Sequence, residues 1–481
     1  MKSIPLLIKE NRALILILIA GLIIRLIDIA QPFSGLGKWN EGHYAMTALN
    51  YFKYGIFLPM NEYGLDFTTT PLYSWFIYLS FLVFGVSEWA ARLPSLFFGM
   101  ASLILVYLLA DRLYGRDTAN VSAFIVAISP GTAYFSRNIQ LESMFTAFAL
   151  ASLLFMIYYK DSGEGKWLLA SGIYISIAVL SKYPAILTYP ALIWIWLKYG
   201  DFRKNKQEIT RFFTYLFLSI TPALIWFLYA LSIKSELALW YFSKPEAPWS
   251  FASAKEAIYL ALTRFMPEHF GYIFYGLFLI SLLWIAKDLN KHAPIILFTF
   301  SWLALIVGFP DFYLANMYYH YSMHYGMAIL LGFTVVAFWK KVRYTMPKRS
   351  LKIIITLMLI ALTAQSLYQY NTYFHGYYTD FSRANETAPF ESAKHVARVN
   401  TAHELVVVDF PQTMYYAGAD PAFVRPAYYN DGVLQAVYED KYSYFVLYYS
   451  GNITIREALE EEGYGQIAPR AWYKNLSTSI E

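Results

Sequence analysis

From residue 13 to residue 369 the chain returns repeatedly to apolar stretches about as long as a bilayer is thick. A helix that crosses the hydrocarbon core needs about 20 mostly apolar residues. Every backbone N–H and C=O at that depth needs an internal partner, which confines such a chain to a helical bundle. Runs that meet or approach the length lie at 13–30, 93–110, 118–131, 143–159, 167–181, 184–198, 212–233, 271–286, 293–309, 322–339 and 351–369, eleven in all. Hydrophobic residues make up 58% of the 481 and charged residues 15%, a balance that a soluble fold could not bury without large exposed patches. The sequence predicts an all-α polytopic membrane protein. Its first run follows MKSIPLLIKENR, contains Arg25 and precedes no small-residue cleavage site, so it is expected to stay as a helix.

The net charge of +5 follows topology and does not point to nucleic acid. With the N-terminus cytoplasmic, Lys198, Arg203, Lys204, Arg211, Lys340, Lys341, Arg343, Lys348 and Arg349 all fall on the inner side, as the positive-inside rule requires. An odd number of spans then places the residues after Gln369 outside. Asn385, Asn452 and Asn475 each head an N-x-S/T sequon in that tail. The chain has no cysteine, so the tail must be held by core packing.

Residues 1–370 read as a transmembrane domain and 371–481 as an extracytoplasmic α/β domain. Two outer loops, 31–92 and 234–270, are too long for connectors and carry amphipathic stretches, YAMTALNYFKYG and AKEAIYLALTRF, expected as helices along the membrane surface. In the tail, ELVVVDF and YSYFVLYY alternate like strands, while ESAKHVARV and IREALEEEGY have helical spacing.

The chemistry-bearing residues collect at one face. Asn40, Glu41 and His43 follow the first span, with Tyr44 beside them and Asp66 further along the loop. Arg25 lies near the end of that span, Arg137 and Glu142 in SRNIQLES, Lys182 in the SKYP turn, and His320 and His324 in YYHYSMHYG. Each has a structural reading: Arg25 pairing with Asp28, Arg137 with Glu142, Lys182 snorkelling, the histidines bonding at the interface. Singly, those readings carry more weight, because structural ion pairs also gather charge. Together the residues mark a polar cavity, since ionisable groups at span ends are costly. Cations for a phosphate and carboxylates for an acceptor suit transfer from a lipid-phosphate sugar.

WNEGHYAMTALNYFKYGIFLPMNEYG, TTTPLYSWFIYLSFLVFGVSEWAARLPSLFFG and LYGRDTANVSAFIVAISPGTAYFSRNIQLES occur in that order between residues 20 and about 200. This stretch resembles the opening third of the GT-C membrane glycosyltransferases, closest to the group holding protein O-mannosyltransferases and the aminoarabinose transferases that modify lipid A. YYHYSMHYGMAILLG resembles the late outer-loop motif of the same group. The resemblance implies a GT-C fold, a dolichyl- or undecaprenyl-phosphate sugar donor, transfer on the extracytoplasmic face of the plasma membrane to a protein, glycan or lipid acceptor, and inversion at the anomeric carbon.

Two positions depart from that group, which usually has Asp-Glu where this chain has Asn40-Glu41, and Lys or His before two prolines where it has TTTPL. An amide is no base, so either Glu41 or another acid takes over, the acceptor is already ionised and needs no base, or the chain is an inactive variant; in the first case Glu41, assisted by Glu142 and with Asn40 beside it, is the expected catalytic carboxylate. Arg25, Arg137, Lys182 and His320 are then the expected phosphate ligands, and His43, Tyr44, Asp66 and His324 the acceptor or sugar contacts. A divalent cation is compatible with this reading but not indicated, for no outer loop holds Asp-x-Asp and His320 and His324 are helix-face neighbours. Two rival readings are a catalytically weakened GT-C-like envelope scaffold and a lipid-linked sugar transporter. The second should show internal hydropathy symmetry, which this sequence lacks.

Overall fold

The computed structural model describes residues 11–33, 38–61, 64–65, 70–199, 206–233, 249–343 and 348–372, and in the tail mainly 383–400, 404–408, 415–416, 424–426, 436–439, 442–447, 453–468 and 470–474. Two compact units share the chain: 1–27 with 95–373, and 28–94 with 374–481.

The first unit is helical. Asn11 caps its first helix, Arg12–Leu26, by accepting from Leu14 N, which satisfies one of the donors a helix start leaves open. Pro130 then breaks the apolar run after Ile128, so that Arg116–Ile128 and Pro130–Phe135 are separate helices. The turn after them, 136–140, delivers Glu142 to the first turn of Leu141–Ser162. Gly163, in the left-handed region at φ 70°, ends that helix.

Among the described residues, five helical segments are long and apolar enough to cross a membrane: Glu88–Tyr114, Leu141–Ser162, Gln207–Ile233, Tyr272–Gly308 and Met317–Val342. The chain is a multi-pass membrane protein. Within Tyr272–Gly308 the Asp288 carboxylate accepts from Lys291 N and starts a new helix, so one apolar segment contains the two runs read from sequence.

In the second unit, the loop read as lying on the surface is more apolar than expected. Lys38–Tyr54 is helical, and Met60–Asn61 pairs antiparallel with Gly64–Leu65. Leu72–Phe84 then forms an apolar helix with Leu79, Leu82, Val83 and Phe84 exposed. Its 13 residues fall short of a span, which is why length alone hid it. Glu88–Tyr114 also begins five residues before the run at 93.

The tail carries helices Arg383–Val399 and Ile453–Glu461 and a five-stranded mixed sheet. The strand order is Val424–Pro426, Val406–Val408, Tyr444–Val446, Ala471–Tyr473, Gly465–Ala468, the first three parallel and the rest antiparallel. Val407, Phe445 and Trp472 stand opposite one another across three strands. One pleat face therefore gathers them, and they pack with Val437, Ile455, Leu459 and Tyr464. This burial lets a domain without disulfides cohere.

Candidate functional site

In the first unit, the turn between Pro130–Phe135 and Leu141–Ser162 brings Glu142 to Lys182, the residue that ends Gly165–Ser181. The two form an ion pair in which Glu142 is 1% exposed. Lys182 Nζ also lies 4.3 Å above the Tyr319 ring and 5.5 Å from that of Tyr318. Glu142 Oε1 accepts from Lys182, whereas Oε2 is buried with no hydrogen-bond partner among the described residues. An unmatched carboxylate oxygen in a dry site is costly and usually reserved for a ligand or a reacting group.

Arg137 does not pair with Glu142. Its guanidinium donates to Ile27 O and lies 5.4 and 5.5 Å from the Tyr134 and Tyr370 rings, while Nε is buried without a hydrogen-bond partner among the described residues. Arg25 is fully buried, and its donors go to Ser136 Oγ at 2.7 Å, to Gly21 O and Ala127 O at 3.0 Å each, and to Val126 O at 3.2 Å. These bonds staple the first helix to the break at Ser129–Pro130 and leave little of the cation for an incoming anion.

His320 and His324 belong to a buried imidazole group that the sequence did not foreshadow, because its third member, His269, lies 51 residues away. His269 Nδ1 and His320 Nε2 are 2.9 Å apart, and Tyr313 Oη lies 2.8 Å from His320 Nδ1. His324 stands edge-on to His320 at 5.1 Å, its two nitrogens without hydrogen-bond partners among the described residues. His269 arrives on a helix that runs from Phe251 through a π turn at Ala261–Phe265 to Phe270, extending the stretch read as interfacial. Gly131 permits the approach, since a Cβ there would lie 2.7 Å from that of His269. Among the described residues, no set of three or more His, Asp or Glu side chains is placed to hold a metal.

Burial, with His320 and His324 nearby, pushes His269 well below its ordinary 6.5. The unfolded chain therefore takes up a proton near that value while the folded chain does not. The stability this neutral group contributes is present above pH 6.5 and lost as pH falls toward the lowered value. Melting temperature should thus drop below about pH 6.5, and a His269→Gln variant should show a flatter acid limb; identical acid limbs would contradict the assignment.

In the second unit, Glu41 and Arg92 are both buried and meet bidentately, Nε to Oε1 at 2.7 Å and Nη2 to Oε2 at 2.9 Å. Arg92 also donates to Ile29 O, Gln31 O and Pro32 O. It thereby fastens the turn after the first span to the first turn of Lys38–Tyr54. Asn40 is half-buried beside this pair. His43 stacks edge-on with Tyr44 at 4.8 Å, and Tyr44 with Tyr73 at 5.5 Å. Arg92 was absent from the sequence candidates; the acid nearest to it in sequence is Glu88, four residues before it, and nothing local pointed to Glu41, 51 residues away. Asp66 lies outside the described residues.

The architecture is that of the GT-C membrane glycosyltransferases, as the sequence motifs implied. The particular likenesses agree. Over 95% of this chain and 97% of the other, the fold superposes on ArnT from Cupriavidus metallidurans, solved in the apo state and bound to undecaprenyl phosphate, with a TM-score of 0.67 at 14% identity. The sequence profile of dolichyl-phosphate-mannose-protein mannosyltransferases matches residues 68–226. An uncharacterized protein of Aquifex aeolicus is 28% identical over 61% of this chain and 58% of its own length. A putative mannosyltransferase of Bacillus subtilis is 26% identical over 39% and 28%. The chain thus spans less than two thirds of the length of these two relatives.

Proposed function

We propose that this protein is a glycosyltransferase that moves a sugar from a polyprenyl-phosphate donor to a protein, glycan or lipid acceptor on the extracytoplasmic face, with inversion. The observation that carries the reading is the buried Glu142–Lys182 pair under Tyr318 and Tyr319, with one carboxylate oxygen left unmatched. The GT-C fold and the undecaprenyl phosphate bound in a relative of that fold support it. The acceptor oxygen attacks the anomeric carbon, the bond from that carbon to the phosphate oxygen breaks, and the lipid phosphate departs carrying the electron pair. Lys182 and Arg137 stabilise the charge that develops on it. A carboxylate takes the acceptor's proton. Glu142 is better disposed than Glu41 for that step, because both Glu41 oxygens face Arg92. Glu41, held by Arg92, then orients the helical turn bearing Asn40, His43 and Tyr44 within its own unit.

Transfer from a radiolabelled polyprenyl-phosphate sugar in membranes tests this reading. The parent should label an acceptor, and a panel of donors with no transfer would leave the scaffold reading in its place. Asn40→Asp restores the carboxylate usual in the GT-C group and should raise turnover severalfold; a rate at or below the parent's would remove Asn40 from the acceptor side of the mechanism.

Eleven or more spans, a cytoplasmic N-terminus and an extracytoplasmic α/β domain over residues 371–481 complete the proposed topology. The inner-side lysines and arginines and the tail sequons support it. Protease added to intact cells should cleave within the tail, and protection equal to that of a cytoplasmic marker would overturn the orientation.

A further inference from the structure

We infer that Tyr416 is a positioning residue, through which the C-terminal segment sets the helical turn bearing Asn40, Glu41 and His43. The proposal rests on the reading above for its kinetic consequence but not for its structural one. Tyr416 Oη accepts from Phe33 N at 3.2 Å and donates to Glu88 Oε1 at 3.0 Å. Its ring lies 6.0 Å from that of Phe33, which also packs at 5.0 Å against Tyr415. On the tail side, Lys394 Nζ is 5.0 Å from the Tyr416 ring centre. Phe33 is wholly buried, and the Arg92 guanidinium is 5.2 Å from its ring. Arg92 in turn holds both oxygens of Glu41.

A continuous chain of contacts therefore runs from the tail through Tyr416 and Phe33 to Arg92 and Glu41, all within one compact unit. Glu88 and Arg92 stand four residues apart at the start of Glu88–Tyr114, neighbours on one helix face. Tyr416 holds the first turn of that helix and Arg92 reaches Glu41 from the second, so the phenol fixes the base from which the ion pair is made. Burial, reinforced by the Glu88 carboxylate, pushes the phenol well above its ordinary range. It stays a donor at any physiological pH. Packing alone would need the ring; positioning needs the hydroxyl, which answers Phe33 N–H and Glu88 together and ties the entry turn to the helix start.

Hydrogen–deuterium exchange on the full-length protein in detergent separates the two. Tyr416→Phe keeps the ring and removes only Oη. We expect exchange to rise on the order of tenfold over residues 38–45 and 88–92, with residues 141–162 unchanged. Where transfer is measurable, kcat should fall on the order of tenfold with the KM for the lipid donor unchanged. Glu88→Ala should reproduce the exchange pattern, and Glu88→Gln, which keeps an acceptor oxygen, should restore most of the protection. These two decide the matter if Tyr416→Phe does not fold. Unchanged exchange at 38–45, or a rise that extends equally to 141–162, overturns the proposal. A parent without transfer would count against the glycosyltransferase reading alone, because the exchange pattern does not depend on turnover.

Discussion

Glu41→Gln and Arg92→Met should each lower the stability of the unit holding residues 28–94 by about 3–5 kcal/mol, as expected when one partner is removed from a buried, bidentate pair. In Arg92→Met the loss has two parts: a carboxylate with no exposure keeps no cation, and the carbonyls of Ile29, Gln31 and Pro32 lose their donor. Arg92→Lys should rescue poorly, because a point charge cannot bridge two carboxylate oxygens and three carbonyls at once. The double change Glu41→Gln with Arg92→Met should cost clearly less than the sum of the single changes, since neither variant charge is then left buried alone. Thermal unfolding in detergent measures all four. Additive losses, or single variants that melt with the parent, would show that the pair does not brace this unit. Transfer should fall on the order of 100-fold in both single variants, in step with the loss of stability. A Glu41→Gln protein that melts normally yet fails to turn over would return the proton-accepting role to Glu41.

Lys182→Met and Glu142→Gln should have the largest effects on catalysis. Lys182→Met removes the proposed phosphate ligand and leaves the buried Glu142 carboxylate without its cation. Charge-assisted hydrogen bonds are worth roughly 1.5–3 kcal/mol, so polyprenyl-phosphate affinity should weaken about tenfold or more. Glu142→Gln keeps the shape and a bond to Lys182 but accepts no proton. Its donor affinity should stay within about twofold of the parent's while turnover drops on the order of 100-fold or more. The contrast between the two variants is the informative result: binding moves with the lysine, rate with the glutamate. Parental turnover in Glu142→Gln would exclude it as the base, and unchanged lipid-phosphate affinity in Lys182→Met would exclude that ligand. Arg137→Met provides the parallel test for the second cation, whose Nε is buried without a hydrogen-bond partner among the described residues.

Much of the molecule follows from composition and period. Apolar runs about a bilayer long require helices because lipid offers the backbone no partners, and the alternation in ELVVVDF and YSYFVLYY places Val407 and Phe445 on one buried face for the same reason of local geometry. Glu142, Lys182, Arg137 and Glu41 were visible as charges at span ends, where charge is costly without a task. Their partnerships were not visible. Glu142 meets Lys182 across 40 residues and Glu41 meets Arg92 across 51, whereas sequence proximity suggested Arg137 for the former and nothing for the latter. The histidine group likewise needed His269 to be carried to His320 by the close approach at Gly131. Periodicity reports which face of an element is apolar, a property each segment owns by itself. Which cation neutralises which carboxylate depends on how helices distant in sequence pack, and only the tertiary structure could decide that Arg25 staples the bundle, that Arg92 holds Glu41, and that Glu142 keeps one oxygen unmatched.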